Sequence, residues 1–388
     1  MGKSLTEIAE QLKGNNKKVQ LIYAFNGTGK TRLSGEFKNL IAPTSSEGAD
    51  GEPTRRKFLY YNAFTEDLFF WDNDLLANEA PRLKIQKNSF TDWLLRDNGL
   101  DGAVIKNFQY YTDDKLTPDF NDDFSEIAFY FARGNDEQIE NIKISKGEES
   151  NFIWSIFYVL IRQVIAELNI PEDSEEGRST DQFDDLEYIF IDDPVSSLDE
   201  NHLIQQAVDL ADLIKSSKSE LKFIITTHNV LFYNVLYNEL KNLEKKKKKE
   251  KEKEKESYLL LKNEDGSFDI LEKQGDSNKS FSYHLHLKGV IEKAIENRKV
   301  ERFHFMLLRN LYEKTANFLG YKQWSDILPE DSRRNYFQRI INFTSHSTLS
   351  NEAFAEPTPQ EQETVKLLLQ HLLDNYNFFQ DDEQRDKP

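Results

Sequence analysis

Three runs of the chain are apolar at nearly every position: VQLIYAF (19–25), LEYIFIDD (186–193) and LKFIITTH (221–228). Such runs predict strands buried on both faces, as in a parallel sheet covered by helices. KFLYYNAF (57–64) predicts another strand. Helices are predicted from Thr31 through Leu40 and over the apolar run 150–168. The N-terminal MGKSLTEIAEQLKG places Ile8 and Leu12 on one helix face. FSEIAFYFAR (124–133) and ENIKIS (140–145) read as a β-pair, and 257–273 as a hairpin around Asn263–Gly266. The polar stretch 43–57, rich in Pro, Gly and Ser, reads as a loop. EKKKKKEKEKEKE (244–256) reads as a solvated helical extension or frayed loop inserted before the hairpin. Glu alternates with Lys there and cancels the charge, so it is not a basic tail.

From Asn278 the texture becomes helical. A helix over 301–319 carries the stripe Leu308, Leu311, Tyr312, Ala316, Leu319. The last helix opens with Thr358 as N-cap, Pro359 at the first position and Glu361 closing a capping box. Val365, Leu368, Leu369 and Leu372 give it one apolar face. The expected organisation is an α/β domain over 1–273, with the charged insertion 244–256, and a mainly α-helical domain over 274–388.

The chain has 388 residues, more than one core usually spans. Its net charge of -18 argues against non-specific nucleic-acid binding, which rests on neutralising phosphates, but leaves room for one local basic groove. The absence of cysteine excludes disulfides, thiolate zinc sites and a Cys nucleophile. The N-terminus lacks a signal-peptide core. No stretch approaches the roughly 18–20 apolar residues of a membrane span. The expectation is a cytoplasmic protein with no membrane partner.

Four motifs follow one another: YAFNGTGKT (23–31), ISKGEES (144–150), YIFIDDPVSSLD (188–199) and ITTHN (225–229). In the first, backbone N–H groups from Asn26, Gly27, Thr28, Gly29 and Lys30 are expected to cradle phosphates. Lys30 would reach the β/γ oxygens and Thr31 would hold Mg²⁺. Ala24 stands where such loops usually carry their first glycine. Asp192 ends an apolar strand and suits a metal-water role. Asp193 follows where a catalytic Glu is usual, one methylene short, which suggests slow hydrolysis. In this order the set resembles a P-loop NTPase of the ABC type. That resemblance implies a γ-phosphate-sensing His228, cross-talk through the loop that ends at Asp199, and a signature loop with Ser145, Gly147 and Glu148. The signature loop binds the nucleotide held by a second copy, so a head-to-tail homodimer or higher homo-oligomer is implied. Residues 32–144 contain no heptads, unlike the long coiled coils of SMC-like ATPases.

Arg309 and Glu313 sit at i and i+4 on the predicted helix 301–319, and His346 follows in NFTSHSTLSN. An Arg, a carboxylate and a His can cleave RNA without metal. One of Glu and His takes the 2′-OH proton, the other protonates the leaving 5′-oxygen, and Arg stabilises the phosphorane. Spacing alone favours a surface ion pair and an unrelated loop histidine over such a triad. SYHLHLK (282–288) alternates His284 and His286 on a strand-like face. These histidines could pack or touch substrate.

Several runs together are similar to the bacterial anticodon nucleases of the PrrC family. They are YAFNGTGKTRLS, YYNAFTEDLFFWDND, SKGEESNFIWS, FIDDPVSSLD, GDSNKSFSYHLHLK, LLRNLYEKTANFLGY and INFTSHSTLSNEA. The resemblance implies cleavage of a tRNA, typically a lysine tRNA, 5′ of the wobble base, leaving 2′,3′-cyclic phosphate and 5′-OH ends. It puts catalysis on Arg309, Glu313 and His346, with no metal for RNA cleavage. It puts tRNA contacts on Asp276, Ser277, Asn278, Lys279, His284 and His286. It also implies Mg²⁺ with GTP or ATP, dTTP as a regulator, a type I restriction–modification complex as inhibitor and a phage-encoded activator, as antiphage defence. The helical domain looks HEPN-like, although the Arg-x4–6-His spacing of that superfamily is absent. The alternative is an ABC-type regulatory or DNA-repair ATPase whose C-terminal helices only dock a partner.

Overall fold

The computed structural model describes residues 2–42, 57–62, 69–72, 81–86, 91–132, 138–139, 142–171, 174, 177–195, 200–247, 250–263, 265–273, 283–344, 357–376 and 378. The chain divides into two compact units, Met1–Gly275 and Asp276–Pro388.

The first unit runs α1 (Leu5–Gly14), β1 (Val19–Ala24), α2 (Lys30–Ile41), β2 (Phe58–Asn62), β3 (Phe69–Asp72), β4 (Arg82–Ile85), α3 (Asp101–Tyr111), β5 (Leu116–Phe120), β6 (Glu126–Ala132), β7 (Gln138–Ile139), α4 (Lys146–Leu168), β8 (Tyr188–Asp192), α5 (Glu200–Ser216), β9 (Lys222–Thr227), α6 (Val230–Glu239), β10 (Glu244–Lys247), β11 (Glu250–Lys253), β12 (Lys255–Lys262) and β13 (Phe268–Glu272). Its main sheet has the order β13-β12-β1-β9-β8-β2. Every pairing in it is parallel except β12 with β13. The predicted apolar strands therefore lie at its centre, and β1, β8 and β9 are almost wholly buried. Ile8 and Leu12 of α1 join Phe37, Phe190 and Ile224 in one core, which explains the apolar face of the N-terminal helix.

A second, antiparallel sheet has the order β3-β4-β6-β5, with β7 on β6. Here the expected β-pair is only partly formed. Leu116–Phe120 pairs along one edge of β6; β4 and the two-residue Gln138–Ile139 pair along the other, and from the predicted segment Ile142 N–H adds one bond to Phe129 O. Phe129 and Phe152 of α4 pack edge to face at 5.3 Å, tying this sheet to the long helix. By length and composition α4 could cross a membrane, contrary to the sequence expectation. Its most apolar window is 78% buried, and it serves as a core helix.

The Lys/Glu run is not a helix. Strands β10 and β11 form a two-stranded ribbon whose register sets Glu244 opposite Lys253, Lys245 opposite Glu252 and Lys247 opposite Glu250. Unlike charges thus stand opposite one another at three of the four register pairs, which favours pairing, while Lys246 stands opposite Lys251. The ribbon closes at its base, where Glu254 N–H donates to Leu243 O at 3.0 Å.

The second unit is helical: α7 (Tyr283–Glu296), α8 (Arg302–Leu319), α9 (Arg333–Thr344) and α10 (Pro359–Asn375), with short 3-10 turns at Trp324–Ile327 and Glu330–Ser332. Leu308, Leu311, Tyr312 and Ala316 of α8 meet Val365, Leu368, Leu369 and Leu372 of α10 in its core. Leu319 is the exception. It is 47% exposed, because α8 ends one residue later at Gly320 in a left-handed cap. The Thr358 cap forms as the sequence expects, with Glu361 N–H donating to its hydroxyl. His284 and His286 lie on α7, not on a strand. Two residues apart on a helix are about 200° apart around its axis, so they do not share a face.

Candidate functional site

Strands β1, β9 and β8 are neighbours that end at one edge of the sheet, with Tyr23 in register with Thr227 and Asp192 with Thr226. The loop after β1 and the ends of β8 and β9 therefore converge, as ligand sites do at the carboxyl ends of parallel strands. Gly27 (φ 78°) and Gly29 (φ 105°) take left-handed backbone that a side chain would strain. Ala24 needs no glycine. It ends β1 fully buried in the strand, paired with Leu260, and its carbonyl accepts from Lys30 Nζ at 3.3 Å. Lys30, the first residue of α2, also donates to Asn26 Oδ1 at 3.3 Å and pairs with Asp193 Oδ2 at 3.4 Å.

Asp192 is buried and accepts from the hydroxyls of Thr31 (2.7 Å), Thr226 (2.5 Å) and Tyr60 (3.1 Å) and from the Asn62 amide (3.3 Å). Burial, with the Asp192 charge second, pushes the Tyr60 phenol up to about 12, so it stays a donor. The Thr31 hydroxyl and Asp192 carboxylate form an adjacent pair of hard oxygens, the donor set Mg²⁺ takes in nucleotide sites. With Lys30 and the glycine loop beside them, these residues fit a magnesium nucleotide.

Asp193 stands in left-handed backbone (φ 49°), unusual for a non-glycine residue. Its Oδ2 lies 2.5 Å from His228 Nδ1, and its Oδ1 accepts from His228 N–H at 3.2 Å and Thr227 Oγ1 at 3.3 Å. Burial pushes this carboxyl up. The His228 hydrogen bond, the Lys30 charge and the His228 charge and N–H together outweigh it and hold the carboxyl below its ordinary value. Asp193 is thus engaged on both sides by the cation and the histidine of its own site. Sequence reasoning singled out Lys30, Asp192, Asp193 and His228, and they meet. It missed Tyr60, Asn62, Thr226 and Thr227. Tyr60 and Asn62 share one face of β2 by period-two alternation, a signal visible in KFLYYNAF.

Ser145 is the N-cap of α4. Its hydroxyl accepts Glu148 N–H at 3.2 Å, and Glu148 accepts Ser145 N–H at 2.7 Å, with Gly147 in the same turn. Asp199 lies outside the described residues, as do Asp276, Ser277, Asn278, Lys279 and His346. The side chains of His284 and His286 are also outside the description.

In the second unit Arg309 Nε donates to Glu313 Oε1 at 2.7 Å, and both side chains are about one-third exposed. The Arg309 guanidinium lies 5.8 Å over the Trp324 ring, a contact no motif announced. Tyr312, next on the helix, turns inward and donates to Leu368 O at 2.9 Å. Core burial on one side thus leaves Arg309 and Glu313 at the surface together.

A parallel sheet whose glycine loop feeds α2, with an acidic pair at the end of β8, the next strand but one, is the nucleotide site of a P-loop NTPase. A family model described as an AAA domain (AAA_13) matches residues 121–374. The chain is also 57% identical, over 410 aligned positions, to an Escherichia coli protein named "Anticodon nuclease". That alignment covers 99% of this chain and all of the relative. The chain belongs to the anticodon nuclease family. Among solved structures, it is similar to the SMC head domain from Thermotoga maritima (TM-score 0.30, 11% identity, 67% of this chain and 92% of that one). It is also similar to cbiO1 of the ABC transporter complex cbiONQ from Clostridium perfringens (TM-score 0.32, 13% identity, 72% and 83%).

Proposed function

We propose that this chain is a nucleotide-gated endoribonuclease that cuts tRNA in the anticodon loop. The observation that carries the reading is the Arg309–Glu313 pair, held at 2.7 Å on the surface of a helical unit in a chain of the anticodon nuclease family. In the reaction, Arg309 bears the charge that builds on the phosphorane. Glu313 and His346 share the two proton transfers, one from the ribose 2′-OH and one to the leaving 5′-oxygen. Products are a 2′,3′-cyclic phosphate and a 5′-OH, and the substrate is a lysine tRNA cut 5′ of the wobble base. No metal acts in this step.

The first unit is the gate. Lys30, the loop from Asn26 to Gly29, Thr31 and Asp192 take Mg²⁺ with GTP or ATP, which supplies phosphate charge to be neutralised there. Two copies meet head to tail, so that Ser145 and the first turn of α4 face the partner's nucleotide. dTTP, a type I restriction–modification complex and a phage-encoded activator set the active state, and the protein works in the cytoplasm as antiphage defence. The test is incubation of the purified chain with total bacterial tRNA in EDTA, then mapping of the cut ends. A single cut in the anticodon loop with cyclic phosphate ends is expected. Intact tRNA both in EDTA and in a parallel reaction supplied with magnesium nucleotide would reject the reading.

A further inference from the structure

Arg309 is the start of a row of stacked groups. Its guanidinium lies over Trp324, and Trp324 stacks on Phe337 with ring centroids 5.2 Å apart and planes 24° apart. Phe337 lines a groove of about 530 Å³ together with Gln323, Ser325, Arg334 and Asn335. That volume lies within the roughly 300–1,000 Å³ of small-ligand sites.

The chemistry of the lining is mixed. Phe337 is a large aromatic left 37% exposed, and its ring is already fixed by Trp324. Gln323, Ser325 and Asn335 offer both donors and acceptors. Glu330 and Asp331 lie on the same rim, where Glu330 is 3.9 Å from Arg333, which also donates to Asp326 O. Arg334 is exposed and makes no ion pair among the described residues. An exposed ring beside a cation and amide groups suits an unpaired base with its phosphate, since every base has a face to stack and the phosphate takes the charge.

We propose that this groove is a subsite for one unpaired nucleotide of the RNA, its base stacked on Phe337 and its phosphate at Arg334, next to the Arg309–Glu313 pair. The subsite rests on the nuclease reading above. Trp324 is a positioning residue that couples the subsite to Arg309. One nucleotide of the loop is thereby anchored while its neighbour is presented to Arg309 and Glu313. The net negative charge of the chain is no obstacle, because stacking supplies binding that does not depend on overall charge.

The test uses the full-length protein and an anticodon stem-loop RNA with a 2′-deoxy sugar at the cut position, so that binding is read without turnover. Phe337→Ala is expected to weaken binding roughly 5- to 150-fold, whereas Phe337→Trp keeps it. Loop positions are then made abasic one at a time. Wild type should lose affinity sharply at one position, and Phe337→Ala should be indifferent to that same position. Arg334→Gln should reduce affinity and flatten its salt dependence. If Phe337→Ala binds as wild type, or remains as sensitive as wild type to every abasic position, the subsite is wrong. An all-ribose stem-loop separates the two failures. If wild type cuts it while Phe337→Ala is neutral, only the subsite falls. If wild type neither cuts nor binds it, the nuclease reading falls and takes the subsite with it.

Discussion

Lys30 Nζ lies 3.4 Å from Asp193 Oδ2, so the phosphate-loop lysine and the acid that directly follows β8 form a buried ion pair. Both side chains are nine-tenths buried, and Asp193 carries a left-handed backbone at the same point. Incoming phosphates would compete with this carboxylate for Lys30.

The first prediction follows from that competition. Asp193→Asn leaves Lys30 buried without its partner, a loss of about 3–5 kcal/mol in comparable pairs. The nucleotide-free variant should melt at lower temperature than wild type. Magnesium nucleotide should restore it by a larger melting shift than in wild type, because phosphate replaces the lost charge, while hydrolysis falls. Equal shifts in the two proteins, read by differential scanning fluorimetry, would remove the competition argument.

A pH prediction rests on the same carboxyl. Its folded value is held below the ordinary 3.8, so the ionised form is the stabilising one. The unfolded chain takes up the proton first as pH falls. The stability advantage of wild type over Asp193→Asn should therefore be flat through neutral pH and shrink only below about pH 4. Denaturant melts across that range measure the gap. A gap that closes near neutrality would show that another group carries it.

For the surface pair, stability and activity should separate. Arg309 and Glu313 are partly exposed and lie at i and i+4, a pair worth about 0.3–0.5 kcal/mol. Arg309→Ala and Glu313→Gln should barely shift the melting temperature and yet remove tRNA cleavage, as should His346→Ala. Nucleotide binding should persist in all three. Cleavage at the wild-type rate in any of them would remove that residue from the reaction.

Ser145→Ala tests the second copy. Loss of the N-cap costs about 1 kcal/mol, a small change in a helix buried along most of its length. Nucleotide-dependent dimerisation, followed by light scattering with a non-hydrolysed analogue, should be lost. A variant that still dimerises with nucleotide would place the contact elsewhere.

The charged ribbon should be dispensable for folding. Its base is already closed by the Glu254–Leu243 hydrogen bond. Replacing residues 244–253 with an Asn-Gly turn should keep the melting temperature within a few degrees and leave nucleotide affinity unchanged. A collapse in stability would mean that the ribbon supports β12.

The central sheet was legible because strands buried on both faces must be apolar throughout, and the glycine loop because Gly27 and Gly29 hold backbone that other residues resist. The last helix was legible too, since its cap is local chemistry within four residues. The ribbon was misread. A Lys/Glu alternation has no apolar period, and only its facing register turns it into paired strands. His284 and His286 failed for the opposite reason. Their alternation looked like a strand, and the helix became visible only as it continued through Glu296. In the candidate sites, sequence determined which acids, cations and hydroxyls the chain carries. Tertiary structure decided that Asp193 faces Lys30 and His228, that Tyr60 reaches Asp192, and that Trp324 underlies Arg309. Each of those pairs is brought together by strand order or helix packing across many residues, and nothing local in the chain encodes such a distance.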